Sequence, residues 1–367
     1  MVIEKSGECT SCGTCVAICP RKCLELKLNN EGFYSPTLVK VDECNNCGLC
    51  DRVCTKETNV MEVNPVGSYS FVSTDKEVLR TTSSGGLCYE LARQAIKDGK
   101  KVCACIYDYN EHVAKHRIVS DIEGLEKTKG SKYIQSNTPI AFEEVLNGEQ
   151  YTVFGTPCQI TSLAKAAKIK GIRDKLLLVD FFCHGTPSMF LWKKYVDENG
   201  GSNIVNIGFR SKEKGWRKFS LTFEYKDGQI KSDYGDNMFY NFFFNNNCLN
   251  SSCYECSHKA LKSSADIRVG DFWGKKYANN DKGVSSCLAL TEKGKETLIS
   301  LVTGELMHES IGDVIEGQMI MSPQKRAIRK KLLKVLKGKK SLKKINSTTM
   351  LPYRLKCKIV SVLRRGR

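Results

Sequence analysis

The sequence predicts an α+β protein in three parts: a small cysteine-built module at the N-terminus, a mixed α/β body and a basic helical tail. Three observations carry this. Eight of the 19 cysteines fall between Cys9 and Cys54 in two copies of one spacing. Beyond them, apolar strand-like runs alternate with helix-period segments as far as about residue 320. The formal charge of +17 is concentrated at the end, because residues 322–367 hold 17 Lys and Arg and no Asp or Glu. The preceding chain is neutral, so the charge speaks to where the tail goes and not to what the body binds.

In the first part, Cys9, Cys12, Cys15 and Cys19 read C-x2-C-x2-C-x3-C before Pro20, and Cys44, Cys47, Cys50 and Cys54 repeat the spacing before Thr55. This is the bacterial ferredoxin signature, in which the last cysteine of each run ligates the other run's cluster. The expected sites are therefore two 4Fe-4S cubes, one on Cys9, Cys12, Cys15 and Cys54, the other on Cys44, Cys47, Cys50 and Cys19. Zinc would use the thiols in pairs and leave the third cysteine of each run unexplained. A disulfide scaffold needs an oxidising compartment, and no apolar leader follows Met1. The expected setting is the cytoplasm. Cys23 lies outside the pattern and reads as a small packing residue.

The expected boundaries are a two-cluster module over 1–63, a linker over 64–74 marked by Asn64-Pro65 and Gly67, a body over 75–320 and a tail over 321–367. In the body, Ser83-Ser84-Gly85-Gly86 opens a helix over Leu87–Ile96. Such a helix start offers backbone N–H groups to an anion, and a plain cap explains the same residues. Gly130 to Tyr133 is a second Gly/Ser turn, carrying Lys132. The apolar strand Tyr151–Phe154 runs into Gly155-Thr156-Pro157-Cys158-Gln159 and a helix to about Lys170. The strand Leu176–Phe182 ends in Cys183-His184-Gly185, with a helix over Met189–Glu198 behind it. Two strand ends each presenting a cysteine is where open α/β sheets place ligands. A hairpin region follows over Ile204–Tyr225, and then Cys253-Tyr254-Glu255-Cys256. With Cys158 and Cys183 this pair makes four thiolates, enough for a third cube. Cys248 is an alternative fourth ligand, and the rival reading is that Cys158 and Cys183 are buried structural cysteines and the pair is spare or zinc-bound with His258.

These motifs carry a resemblance. The N-terminal runs, SSGG at 83–86, GSKY at 130–133, GTPCQ at 155–159, FCHG at 182–185, CYEC at 253–256 and ADIRVGDFWG at 265–274 together resemble the coenzyme F-420 hydrogenase/dehydrogenase beta subunit family. The likeness spans residues 1 to about 320. It implies a flavin-binding body that carries FAD beside a 4Fe-4S cluster on Cys158, Cys183, Cys253 and Cys256. Ser84, Gly85, Gly86, Lys132, Gly155 and Thr156 become candidates for the FAD phosphates and ring, and Asp271 with Phe272-Trp273 for the flavin lining. His184 after Cys183, Pro187 closing that motif and FRSKEKGW at 209–216 look like the bacterial, polysaccharide-associated branch, whose hydride partner need not be a deazaflavin.

The expected function is that of an iron-sulfur flavoprotein oxidoreductase. It would pass electrons between a one-electron carrier such as ferredoxin and a hydride donor or acceptor, because a flavin handles both one- and two-electron steps. Surface-polysaccharide synthesis is an implied setting. A non-catalytic electron-transfer subunit docking a separate enzyme, and a coenzyme F-420-dependent dehydrogenase, are the alternatives. His184 is the expected proton donor, since imidazole titrates near neutrality, and a histidine that merely fixes the turn is its rival. Arg210, Lys212 and Trp216 suit an anionic, ring-bearing small-molecule substrate. In the tail, RKKLLKVLK at 329–337 and YRLKCKIVSVLRR at 353–365 alternate cations with apolar residues, which fits an anionic membrane surface at the cytoplasmic face. A solvated, disordered tail is the rival, and nucleic acid is disfavoured because Tyr353 alone could stack on a base. No apolar run reaches transmembrane length.

Overall fold

A computed structural model of the chain describes residues 8–56, 60–234 and 237–357. In the cysteine-rich module, β1 (Leu24–Leu28) and β2 (Tyr34–Leu38) form an antiparallel hairpin between two one-turn helices, Thr14–Ala17 and Leu49–Arg52. The body supplies β3 (Gly67–Ser73), β4 (Lys101–Asp108), β5 (Val113–Val119), β6 (Ser136–Asn137), β7 (Tyr151–Phe154), β8 (Leu176–Phe181), β9 (Ile204–Ser211), β10 (Ser220–Tyr225), β11 (Ile230–Tyr234), β12 (Ile267–Asp271), β13 (Ser285–Ala289) and β14 (Gly304–His308). Nine of these make one mixed sheet in the order β14-β3-β13-β12-β8-β7-β4-β5-β6, while β11-β10-β9 form a separate antiparallel sheet.

The middle of the large sheet positions the site. Strands β4, β7, β8 and β12 are mutually parallel, so their carboxyl ends emerge on one edge. Tyr151–Phe154 and Leu176–Val179 are buried on both faces, as their unbroken apolar runs require of parallel strands covered by helices. Leu87–Lys97 lies on one side and Pro157–Ile169 on the other, each contributing its apolar residues to a separate core cluster. The strands and helices expected over 87–198 stand within a residue or two of their observed bounds.

Two expectations are corrected. The segment 64–74 is not a linker: β3 lies between β13 and β14, with Phe71 fully buried. Its turn signals, Asn64-Pro65 and Gly67, stand just ahead of an alternating strand, Tyr69-Ser70-Phe71, whose pattern marks it as sheet. The tail is not a free appendage either. Helix Arg329–Lys337 buries Leu332, Leu333 and Leu336 in the same core cluster as Trp192, Phe209 and Phe239, and Leu342, Ile345 and Met350 follow them. Its apolar stripe is covered by its own protein and is not free for a membrane. The second basic stretch reaches position 357 in helical form, and 358–365 lie outside the described residues.

Candidate metal and cofactor centre

The repeat in the cysteine spacing is also a repeat in backbone shape. Ser11 and Asn46, each just before the second cysteine of its run, have φ of 61° and 54°, and Gly13 and Gly48, each just after it, have φ of 79° and 69°. Left-handed residues alternating with right-handed ones turn successive N–H groups inward, the concave arrangement found at Fe–S sites. The backbone N–H of Ser11 donates to the Cys9 sulfur at 3.3 Å and that of Cys23 to the Cys19 sulfur at 3.4 Å.

The thiols gather in groups. Burial first, then the neighbouring Cys12 and Cys54, push the Cys9 thiol up to about 12. Cys15 is raised by burial and by Cys12, Cys9 and Cys54, and it also feels Cys50. The other set, Cys19, Cys44, Cys47 and Cys50, lines a cavity of about 110 Å³ together with Cys23. The packing residue expected at Cys23 is buried and forms part of that wall.

A third group stands at the parallel strand ends. Cys158 occupies the first turn of helix Pro157–Ile169, and Cys183 follows β8. Burial raises the Cys158 thiol well above its ordinary range, and Cys12, Cys183 and Cys256 add to this. Cys183 is pushed up to about 12 by burial, with Lys259 opposing and Cys253 and Cys256 reinforcing. Gly185, at φ 140°, allows Cys253 to approach, since a Cβ there would lie 3.2 Å from the Cys253 Cβ. Cys248 is not among this group. It is fully buried in the aromatic core, and its thiol donates weakly to the Phe242 carbonyl. Among the described residues no three His, Cys, Asp or Glu side chains converge on one point as a single ion requires. A cube asks for something different, one thiolate per iron at four separated corners.

Residues that spacing did not reveal hold this centre. Arg268 and Asp180, both fully buried, pair through two 2.7 Å bonds, and Arg268 also donates to the carbonyls of Ala260 and Lys262. This fastens the loop after Cys256 beneath β8. The Lys259 ammonium donates to the Cys183 carbonyl. The one available signal was the charge pair buried in apolar strands, Asp180 in LLLVDF and Arg268 in DIRVG.

The Ser/Gly turns come together as a second locus. The backbone N–H of Ser131 donates to the Ser83 hydroxyl at 2.9 Å, which joins the two turns. Gly85 is pressed against β3 and β13, where a Cβ would sit 2.2 Å from the Phe71 carbonyl oxygen. Gly86 is the left-handed N-cap of helix Leu87–Lys97. Lys212 donates to the carbonyls of Leu79, Ser84 and Lys282 and so fixes the Ser84–Gly86 turn. Asp271 accepts from Arg210 Nη1 at 2.5 Å and from Trp216 Nε1 at 2.8 Å. Both of its oxygens are engaged. Lys132 is half-buried, donates to the carbonyls of Thr128 and Lys129, and is held down to about 8 by desolvation. Gly155 and Thr156 adjoin the thiols: the Thr156 hydroxyl lies 3.3 Å from the Cys158 sulfur and its N–H donates to the Gln159 side chain. His184 packs edge-on against Phe243 and Phe244, and burial, reinforced by Lys259, lowers it to about 4.

Residues 148–312 match the family described as the C terminus of the coenzyme F420 hydrogenase/dehydrogenase beta subunit. The fold is similar to a chain of the F420-reducing [NiFe] hydrogenase complex from Methanosarcina barkeri, with a TM-score of 0.51 and 19% identity over 77% of this chain and 90% of that one. No curated protein matches the sequence. Among the described residues no helix is long and apolar enough to cross a membrane.

Proposed function

We propose that the chain is an iron–sulfur flavoprotein oxidoreductase that connects a one-electron carrier of the ferredoxin kind to a hydride donor or acceptor. One observation supports this: the thiols form neighbouring groups, each within electrostatic reach of the next. The outer set, Cys19, Cys44, Cys47 and Cys50, adjoins Cys9, Cys12, Cys15 and Cys54 through the Cys50–Cys15 approach. That second set adjoins Cys158, Cys183, Cys253 and Cys256 through Cys12 and Cys158. Each quartet fits a 4Fe-4S cube, whose irons would hold as thiolates the sulfurs that burial and mutual repulsion otherwise keep protonated.

Beyond the third quartet, the joined Ser/Gly turns with Ser84, Gly85 and Gly86 fit the phosphates of FAD. The first-turn N–H groups of helix Leu87–Lys97 lack intrahelical partners and favour an anion. When bound, a flavin supplies the exchange between single electrons and hydride. This chain's own residues bind and orient. Lys212 holds the turn closed, and Trp216 and Trp273 stack at 5.3 Å to form an apolar wall. The family's deazaflavin is one acceptor. The likeness of 209–216 to polysaccharide-associated members supports surface-polysaccharide synthesis as the setting. The cationic helical residues 351–357, where Leu351 and Leu355 remain exposed, are the part of the tail left for an anionic membrane.

Anaerobic purification with iron, sulfide and flavin quantified on one sample tests this. About twelve irons and one FAD per chain are expected. About eight irons without flavin would instead make the body a docking module for a separate redox enzyme.

A further inference from the structure

Arg210, near the end of β9, is only 7% exposed, yet its guanidinium is incompletely used. Nη1 donates to Asp271, whose other oxygen is taken by Trp216. Nε and Nη2 are buried and have no hydrogen-bond partner. A buried charge with two idle donors is costly unless something accepts from them. The side of a guanidinium bearing Nε and Nη2 presents two parallel N–H groups, a fork that suits two adjacent acceptor atoms and that a lysine cannot reproduce.

The surroundings define the acceptor's shape. The guanidinium lies 4.6 Å from the Phe219 ring centroid and 5.3 Å from that of Trp273, and Trp273 is stacked on Trp216 at an interplanar angle of 6°. Tyr133, from the second Ser/Gly turn, is within electrostatic reach of Arg210 and Asp271, as Cys88 in the first turn of helix Leu87–Lys97 is of Asp271. Lys212, two residues on along the chain, is bonded to the Ser84 carbonyl. The fork and the phosphate-type turn therefore belong to one locus, walled by flat aromatic groups.

Resting on the assignment of FAD to this locus, we propose that Arg210 binds the carbonyl–nitrogen edge of a pyrimidinedione ring, with Asp271 as its positioning residue. That edge has two adjacent acceptors in one plane and gains negative charge when its ring system takes up hydride. The isoalloxazine of FAD and the ring of a deazaflavin carrier share it.

The test compares wild type, Arg210→Lys and Arg210→Met as anaerobically purified holoproteins. FAD dissociation constant, flavin midpoint potential, binding of a deazaflavin by fluorescence titration and thermal unfolding are measured on each. If the edge belongs to FAD, Arg210→Met weakens FAD binding by about tenfold or more and lowers the midpoint potential, and Arg210→Lys restores neither. If it belongs to the carrier, the FAD values hold and carrier binding weakens by a similar factor. Unchanged values for both ligands in a normally folded Arg210→Met protein would overturn the proposal, as would full rescue by lysine. Should Arg210→Met fail to fold, Arg210→Lys alone decides by the same criteria. A wild-type protein without FAD sinks the flavin assignment separately, and the deazaflavin titration then judges Arg210 by itself.

Discussion

The two cysteine runs share one spacing and one backbone shape but live in different surroundings. Ser11 to Cys15 are buried, whereas Asn45 to Cys47 are exposed. The first run is sealed by the body: the Thr138 hydroxyl donates to the Cys12 carbonyl at 2.7 Å, Asn250 to the Cys9 carbonyl at 3.0 Å, and Thr14 bonds Ser162 at 2.6 Å. Among the described residues its partner run has no such cover at its tip. Identical local chemistry therefore yields an inward site beside Cys158 and an outward one open to solvent. In the proposed relay, the outward quartet receives the soluble carrier and the inward one hands electrons to the body.

The largest way to break this comparison is to remove a ligand from each run. Cys12→Ser and Cys47→Ser should each lower the iron content by about four per chain. Only Cys12→Ser should also loosen the module from the body, which limited proteolysis would reveal as early release of the N-terminal fragment. Next come the paired glycines. Gly13→Ala forces a left-handed alanine whose Cβ would meet the Thr138 hydroxyl at 2.2 Å, while Gly48 has nothing within 4 Å. We expect a loss of about 3 kcal/mol for the first and about 1 kcal/mol for the second in denaturant unfolding. Equal losses would mean that backbone strain alone matters.

Exposure should also order iron loss. Under a chelator, iron from the outward quartet should leave about tenfold faster than the rest, equivalent to roughly 1.4 kcal/mol of barrier, and a single-phase release would contradict the difference in cover. The smallest effect is expected from Thr138→Val, which leaves the buried Cys12 carbonyl without its donor. A cost of about 1 kcal/mol, with no change in iron content, would separate docking from ligation.

Much of this was legible in residue order. The eight N-terminal cysteines, the apolar strands at 151–154 and 176–181 and the cysteines that end them are local signals, since each depends on neighbours a few positions away. The linker expectation failed because turn residues at 64–67 announce a loop and carry no information on the pairing of the next few residues. Phe71 is buried only because β13 and β14 arrive from more than 200 positions downstream. His184 was singled out by residue type alone, and its edge-on packing against Phe243 and Phe244 was not legible because those rings lie about 60 positions downstream.

The tail shows the same division. Its leucine stripe is plain in the sequence, and a helix with a buried face follows from it. Only the fold decides what buries that face. Here it is the aromatic core behind helix Met189–Glu198, reinforced by Arg329, which donates to Glu31 of the cysteine-rich module and to the Leu249 carbonyl. By itself, then, the sequence determined the thiol spacing, the left-handed turns that frame it and the periodicity of each element, because these are properties of short stretches of chain. The tertiary structure decided which cysteine run faces inward, where the tail packs and which arginine is left with idle donors. Those depend on surfaces distant in sequence meeting, and burial is a property of the meeting.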